Sequence, residues 1–290
     1  MADASPPDTE RRPGIQGDGS AAPGESESDP VMEAGNMSLL DHLEDLRWTI
    51  IKGCSGFVAG IIASVVLRQW IINDVLIGPT RTDFFMYGVL GIDAKELHLL
   101  NRTITGQFFA DIGTLIVVGV ILGSPVFVYF VWKFIEPALY PEERGGMRFA
   151  AVFAALFFFM GVSFGYLILT PLALQFFASY ELSAQIENQF DIMTYFSMVT
   201  FWAFGSGLLF EMPVVMYFLG KVGLITPDFM RTHRKYALLT VLVIGAFLTP
   251  PDPISQLIVA LPLLLLYEFS ILVVAWVTKK RRRELGMSDA

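Results

Sequence analysis

From Trp48 onward the chain alternates between long apolar runs and short polar breaks. Residues 48–67 read WTIIKGCSGFVAGIIASVVL, and residues 112–132 are uncharged throughout and interrupted by Pro125. A third run, 149–177, lies within an uncharged stretch from Phe149 to Tyr180 that contains Pro171. A fourth, 193–219, carries Glu211; a fifth covers only 236–251; a sixth, 254–278, includes Glu268 and ends at KKRRR. Crossing a bilayer takes about 20 apolar residues, so the pattern predicts six transmembrane helices. Prolines inside them predict kinks, because each removes a backbone hydrogen bond. Span five reaches only about 24 Å at about 1.5 Å per residue, against a hydrocarbon core of about 30 Å. It is expected to be short, as is the uncharged 253–267 part of span six, with ends that thin the bilayer or lie under other protein. The fold class is an all-α polytopic membrane protein.

Before the first span, residues 38–50 read SLLDHLEDLRWTI. Ser38 followed by Asp41 has the form of a capping box, which predicts a helix start. At helical spacing Asp41, Glu44 and Asp45 share one face, while Leu39, Leu43, Leu46 and Ile50 share the opposite one. Residues 1–36 differ in kind: five Pro, five Gly and no aromatic residue. Such a segment cannot bury enough apolar surface to offset its chain entropy, and it is expected to be a disordered tail. The organisation is thus a 1–36 acidic tail, a 37–278 membrane domain and a 279–290 basic tail.

Composition agrees: 54% of the residues are hydrophobic, above the usual share of a soluble domain. The net charge of −8 arises largely in the tail, whose eight acids and two arginines contribute −6. Basic residues set orientation. With the N-terminus inside, sixteen Lys and Arg fall on the cytoplasmic side and four (Arg68, Arg81, Lys95, Arg102) on the other. Both termini are therefore expected in the cytoplasm.

One loop departs from that rule. FIEPALYPEERGG, residues 134–146, is expected on the cytoplasmic side yet carries Glu136, Glu142 and Glu143 against one arginine. Together with the acidic face around Asp45 it suggests a docking site for a cation. Glu211 and, with less support, Glu268 are expected near the midplane, where a charge is costly and functional by default. Asp252 and Gln256 are polar groups near the outer interface, in FLTPPDPISQ. The single cysteine, Cys54, is expected to be a buried inert thiol. Three histidines lie in separate segments. No metal-ligand spacing, phosphate loop or nucleophile motif is visible, so neither an enzyme nor a cofactor is expected.

Five ordered stretches then point to a family: HLEDLR (42–47), FIEPALYPEER (134–144), FEMPV (210–214), KVGLITPDFMRTHRKY (221–236) and LTPPDPISQ (248–256). The chain resembles TatC, the multispanning subunit of the twin-arginine protein translocase, over about residues 37–278. The resemblance implies a receptor for folded proteins whose signal peptides carry two consecutive arginines. It also implies TatA- and TatB-type single-span partners, further TatC copies, use of the proton-motive force, and residence in a prokaryotic inner membrane. Nucleic acid has no place in it. The arginine pair would be bound at Asp45, beside Glu44, and at Glu143, beside Glu142. The family commonly has Glu where this chain has Asp45, which leaves open whether Glu44 or Asp45 makes the contact. Glu211 and Gln256 would face a partner's transmembrane helix, the outer loops would form a cap, and the helices would enclose a concave, glove-like pocket. The rival from another class is a proton-coupled secondary transporter using Glu211 and Glu268.

Overall fold

The computed structural model describes residues 39–135, 147–183, 185–186, 188–249 and 253–284. The first long helix, α1 (Leu39–Val66), joins the expected amphipathic segment and the first span without a break. Beyond it come α2 (Arg68–Trp70), a π-helical turn over Ile71–Leu76, a 3₁₀ turn over Gly78–Thr80, and α3 (Phe85–Leu90). The second span is α4 (Gly106–Ile135). The third is α5 (Met147–Phe164), a π-helical stretch over Gly165–Leu169, and α6 (Thr170–Ser179). The fourth divides into α7 (Ile192–Phe210) and α8 (Met212–Val222). Then follow α9 (Pro227–Thr232), α10 (Arg234–Leu248) and α11 (Pro253–Glu284).

Five of these segments are long and apolar enough to cross a membrane: Leu43–Val66, Gly106–Phe134, Ala150–Ser179, Ile192–Val222 and Ser255–Lys280. The expected fifth span is α10, whose 15 residues reach only about 22 Å at about 1.5 Å per residue. Span six is not short: its apolar stretch, Ser255–Lys280, has 26 residues within an α11 of 32, so the expected shortness of that span is corrected.

Prolines act according to their neighbours. Pro125 sits inside α4 without ending it, whereas Pro213 follows a break at Glu211 and starts α8. Pro171 starts α6 directly after the π-helical stretch, where the backbone ladder has been rearranged. Gly223 ends α8 at φ 87°, in a left-handed conformation that costs glycine nothing.

Glycine also fixes the packing of α1 on α4. A β-carbon on Gly56 would lie 2.6 Å from Val126, one on Gly123 2.3 Å from the Gly56 carbonyl oxygen, and one on Gly119 2.5 Å from Ile61. Small residues allow such backbone contact, which substitutes for a hydrophobic driving force inside lipid. Ser64, fully buried, adds a hydrogen bond from Oγ to the Leu115 carbonyl at 2.7 Å. This explains the placement of Cys54, which is exposed on the chain. The glycines and Ser64 claim the packed face of α1, and Cys54 lies off that face; the expected burial is corrected.

At the opposite end from Lys133 and Lys221, the connecting segments form a tied cap. Residues 99–100 (β1, Leu99–Leu100) and 190–191 (β2, Phe190–Asp191) pair in parallel, a small exception to an all-helical fold. The Gln175 side chain accepts from the Lys95 N–H at 2.8 Å and donates to the Lys95 carbonyl at 3.1 Å. Tyr166 and Tyr195 donate to the carbonyls of Val75 and Leu76, each at 2.6 Å, and Tyr87 donates to that of Pro79. Asp191 caps α7 by accepting from the Thr194 N–H at 3.1 Å, which holds its carboxyl below the usual range.

Candidate functional site: a polar end and a polar break

One half of the acidic seat read from sequence, the Glu44–Asp45 face of α1, lies exposed near one end of that helix. In the α1–α4 contact, Ser64 stands opposite Leu115, Gly60 opposite Gly119, Gly56 opposite Gly123 and Gly53 opposite Phe127. The pair is antiparallel. Continuing that register towards the start of α1 brings Asp45 level with Phe134–Ile135, the last turn of α4. Residue 136, where the acidic loop begins, follows at once. Glu44 and Asp45 are both exposed on α1. Glu136, Glu142 and Glu143 lie outside the described residues, as do the side chains of Asp41 and His42.

The second polar element is Glu211, at the junction of α7 and α8. The junction is dictated locally. Pro213 has no N–H to continue the ladder, and the Glu211 carbonyl accepts from the N–H groups of both Val214 and Val215 at 3.0 Å. The Glu211 side chain is half-buried, and its Oε1 is buried with no hydrogen-bond partner among the described residues. The Oγ of Ser206, five residues earlier on α7, is likewise buried and unpaired. Buried polar atoms are paired in nearly all native structures, and an exception needs a reason. A polar group brought by another helix would supply one.

Gln256 lies elsewhere, on the first turn of α11. Its side-chain nitrogen donates to the Leu242 carbonyl of α10 at 2.7 Å, which ties the short helix to the start of the last one. The residue is half-buried. Asp252 lies outside the described residues.

Glu268 requires a correction. Counting back from Lys279 puts it near the midplane, yet its Oε2 accepts from Arg234 Nη2 at 2.7 Å, and Arg234 opens α10 at the polar loop. Both side chains are about half exposed. The residue therefore belongs to the basic end of the molecule, because α11 runs on past the level at which α10 begins. Tyr267 strengthens the same junction by donating its hydroxyl to the Met230 carbonyl of α9 at 2.9 Å. No signal in the sequence tied Arg234 to Glu268, since the contact joins residues 34 positions apart.

With this geometry in hand, the relatives are informative. Residues 41–262 match the family described as Sec-independent protein translocase protein (TatC). The chain belongs to the TatC family. It is 33% identical over 263 residues to the TatC protein of Blattabacterium sp. subsp. Periplaneta americana, covering 86% of this chain and 99% of the relative. It is 34% identical over 242 residues to TatCy of Bacillus subtilis, covering 83% and 90%. Among solved structures it resembles a crystal structure of the twin arginine translocase receptor TatC in DDM, at 33% identity and a TM-score of 0.67. That likeness covers 80% of this chain and 98% of the other. The chain is accordingly a membrane-embedded TatC subunit of a protein translocase, with membrane-protein partners.

Proposed function

We propose that this TatC protein is the receptor of a twin-arginine translocase. It binds the arginine pair of a signal peptide between the Glu44–Asp45 face of α1 and Glu142–Glu143 of the following loop. The observation that supports this most is the register of α1 on α4, which carries Asp45 to the level at which the acidic loop begins. A guanidinium presents a planar fork that matches a carboxylate bidentately, and an ammonium does not. Two separated carboxylate clusters therefore select two arginines. They do not supply most of the affinity: exposed ion pairs contribute about 0.2–1 kcal/mol each, whereas micromolar binding requires about 8 kcal/mol. The remainder comes from the apolar part of the signal packing against the helices.

In this reading the chain has six spans, α10 being the fifth, and both termini face the cytoplasm of a prokaryotic inner membrane. The helices form a concave, glove-like surface. Glu211 and Gln256 receive the transmembrane helices of TatA- and TatB-type partners, and the protein nucleates an assembly, with further TatC copies, driven by the proton-motive force. The unpaired Oε1 of Glu211 supports such a contact. The rival reading, a proton relay through Glu211 and Glu268, has to accommodate the ion pair of Glu268 with Arg234.

The direct test is export. Cells lacking their own TatC, given this chain with its partners, are expected to export a folded reporter behind a twin-arginine signal and to retain the same reporter behind a twin-lysine signal. Equal export of both would overturn the recognition reading.

A further inference from the structure

The basic end carries a second feature, apart from the acidic residues proposed above. Between α5, α8 and α11 lies an apolar groove with a cavity volume of about 480 Å³. It is lined by Phe153 and Phe157 of α5, Tyr217 of α8, and Leu272, Val273 and Trp276 of α11, among others. On α11 the lining positions recur at helical spacing, and the same stripe continues one turn further into Lys279 and Lys280, both exposed. On α8 the corresponding stripe runs from Tyr217 to Lys221, whose Nζ lies 5.8 Å from the Tyr217 ring centre. The exposed cations of the rim are thus those of α11, Lys221 of α8 being buried, and the walls below them are hydrocarbon.

We propose that this groove is a binding site for an anionic phospholipid, with one acyl chain in the groove and the phosphate at the Lys279–Lys280 end. The chemistry of walls and rim together points to a lipid, since the lining is almost wholly apolar and the exposed cations stand together at one end of it. A slim acyl chain can follow the groove along its length. Charge decides the headgroup, because basic pockets between transmembrane helices attract anionic lipid and zwitterionic lipid gains much less from them. Trp276, one turn below the two lysines, has the amphipathic character of a residue at headgroup level. The site depends on the protein being in a membrane and not on its recognition of signals.

The test uses the purified full-length chain with phosphatidylglycerol or phosphatidylcholine, each carrying a photoreactive acyl chain. Phosphatidylglycerol is expected to label the 269–276 segment of α11 at least tenfold more than phosphatidylcholine. Lys279→Gln with Lys280→Gln should abolish that preference. Val273→Phe, which fills the groove and leaves the lysines in place, should reduce labelling by both lipids. Equal labelling by the two lipids, or labelling of 269–276 that persists in the Val273→Phe variant, would overturn the proposal. So would a photoreactive residue at position 272 that crosslinks in cells to a partner helix and not to lipid.

Discussion

Gly60 of α1 and Gly119 of α4 pack backbone against backbone: a β-carbon on Gly60 would stand 2.0 Å from the Gly119 carbonyl oxygen. No side-chain adjustment can relieve that contact, because the obstructing atom is backbone. Gly60→Ala is therefore expected to cost about 3 kcal/mol, the upper end of overpacking penalties. Gly113→Ala on the same α4, where a β-carbon meets nothing within 4 Å, should be tolerated. Thermal unfolding in detergent checks both; similar melting temperatures for the two variants would contradict the packing account.

Glu268 offers a separation of roles. Its ion pair with Arg234 is half exposed on both sides, so Glu268→Gln should cost no more than about 1 kcal/mol. Export is expected to continue. A collapse of export in a variant that still accumulates to normal levels would restore the proton-relay reading.

Glu211 should behave differently, because its buried Oε1 awaits a partner. Glu211→Gln keeps hydrogen-bonding capacity at the same place, and Glu211→Ala removes it. The glutamine variant is expected to export several-fold more of a folded reporter than the alanine variant, at matched protein levels. Equal export by the two would count against a hydrogen bond to a partner helix.

The cap can be loosened on its own. Tyr195 donates its buried hydroxyl to the Leu76 carbonyl, and Tyr195→Phe leaves that carbonyl without its partner. A loss of about 1–3 kcal/mol is expected. Hydrogen exchange should quicken over residues 71–80 and stay unchanged over α8 and α11. Uniform quickening would mean that the cap is not a local unit.

Much of this architecture was legible in the sequence because lipid imposes a simple rule: backbone groups must be satisfied within helices. The apolar runs therefore gave the long helices, and Pro213 marked the break beside Glu211. Faces were harder to read. Cys54 and Gly56 are neighbours in one apolar run, and only the approach of α4 decides which side is packed. Levels were harder still, as Glu268 illustrates, since counting from Lys279 assumes that the helix ends where the membrane does. The β1–β2 pair and the Gln175–Lys95 tie lie in segments with no periodicity, and nothing local announces them. Of the acidic seat, the structure describes only the Glu44–Asp45 face of α1, which the antiparallel register sets near the end of α4; Glu142 and Glu143 lie outside the described residues.

The central claim is that the acidic face of α1 and the acidic loop together hold two arginines. Photocrosslinking of a twin-arginine signal peptide to the assembled protein tests it most directly, comparing the parent chain, Asp45→Ala, Glu143→Ala and the double variant. Each single change is expected to weaken crosslinking and the double change to abolish it, with membrane levels and thermal stability preserved. Undiminished crosslinking in the double variant would contradict the claim.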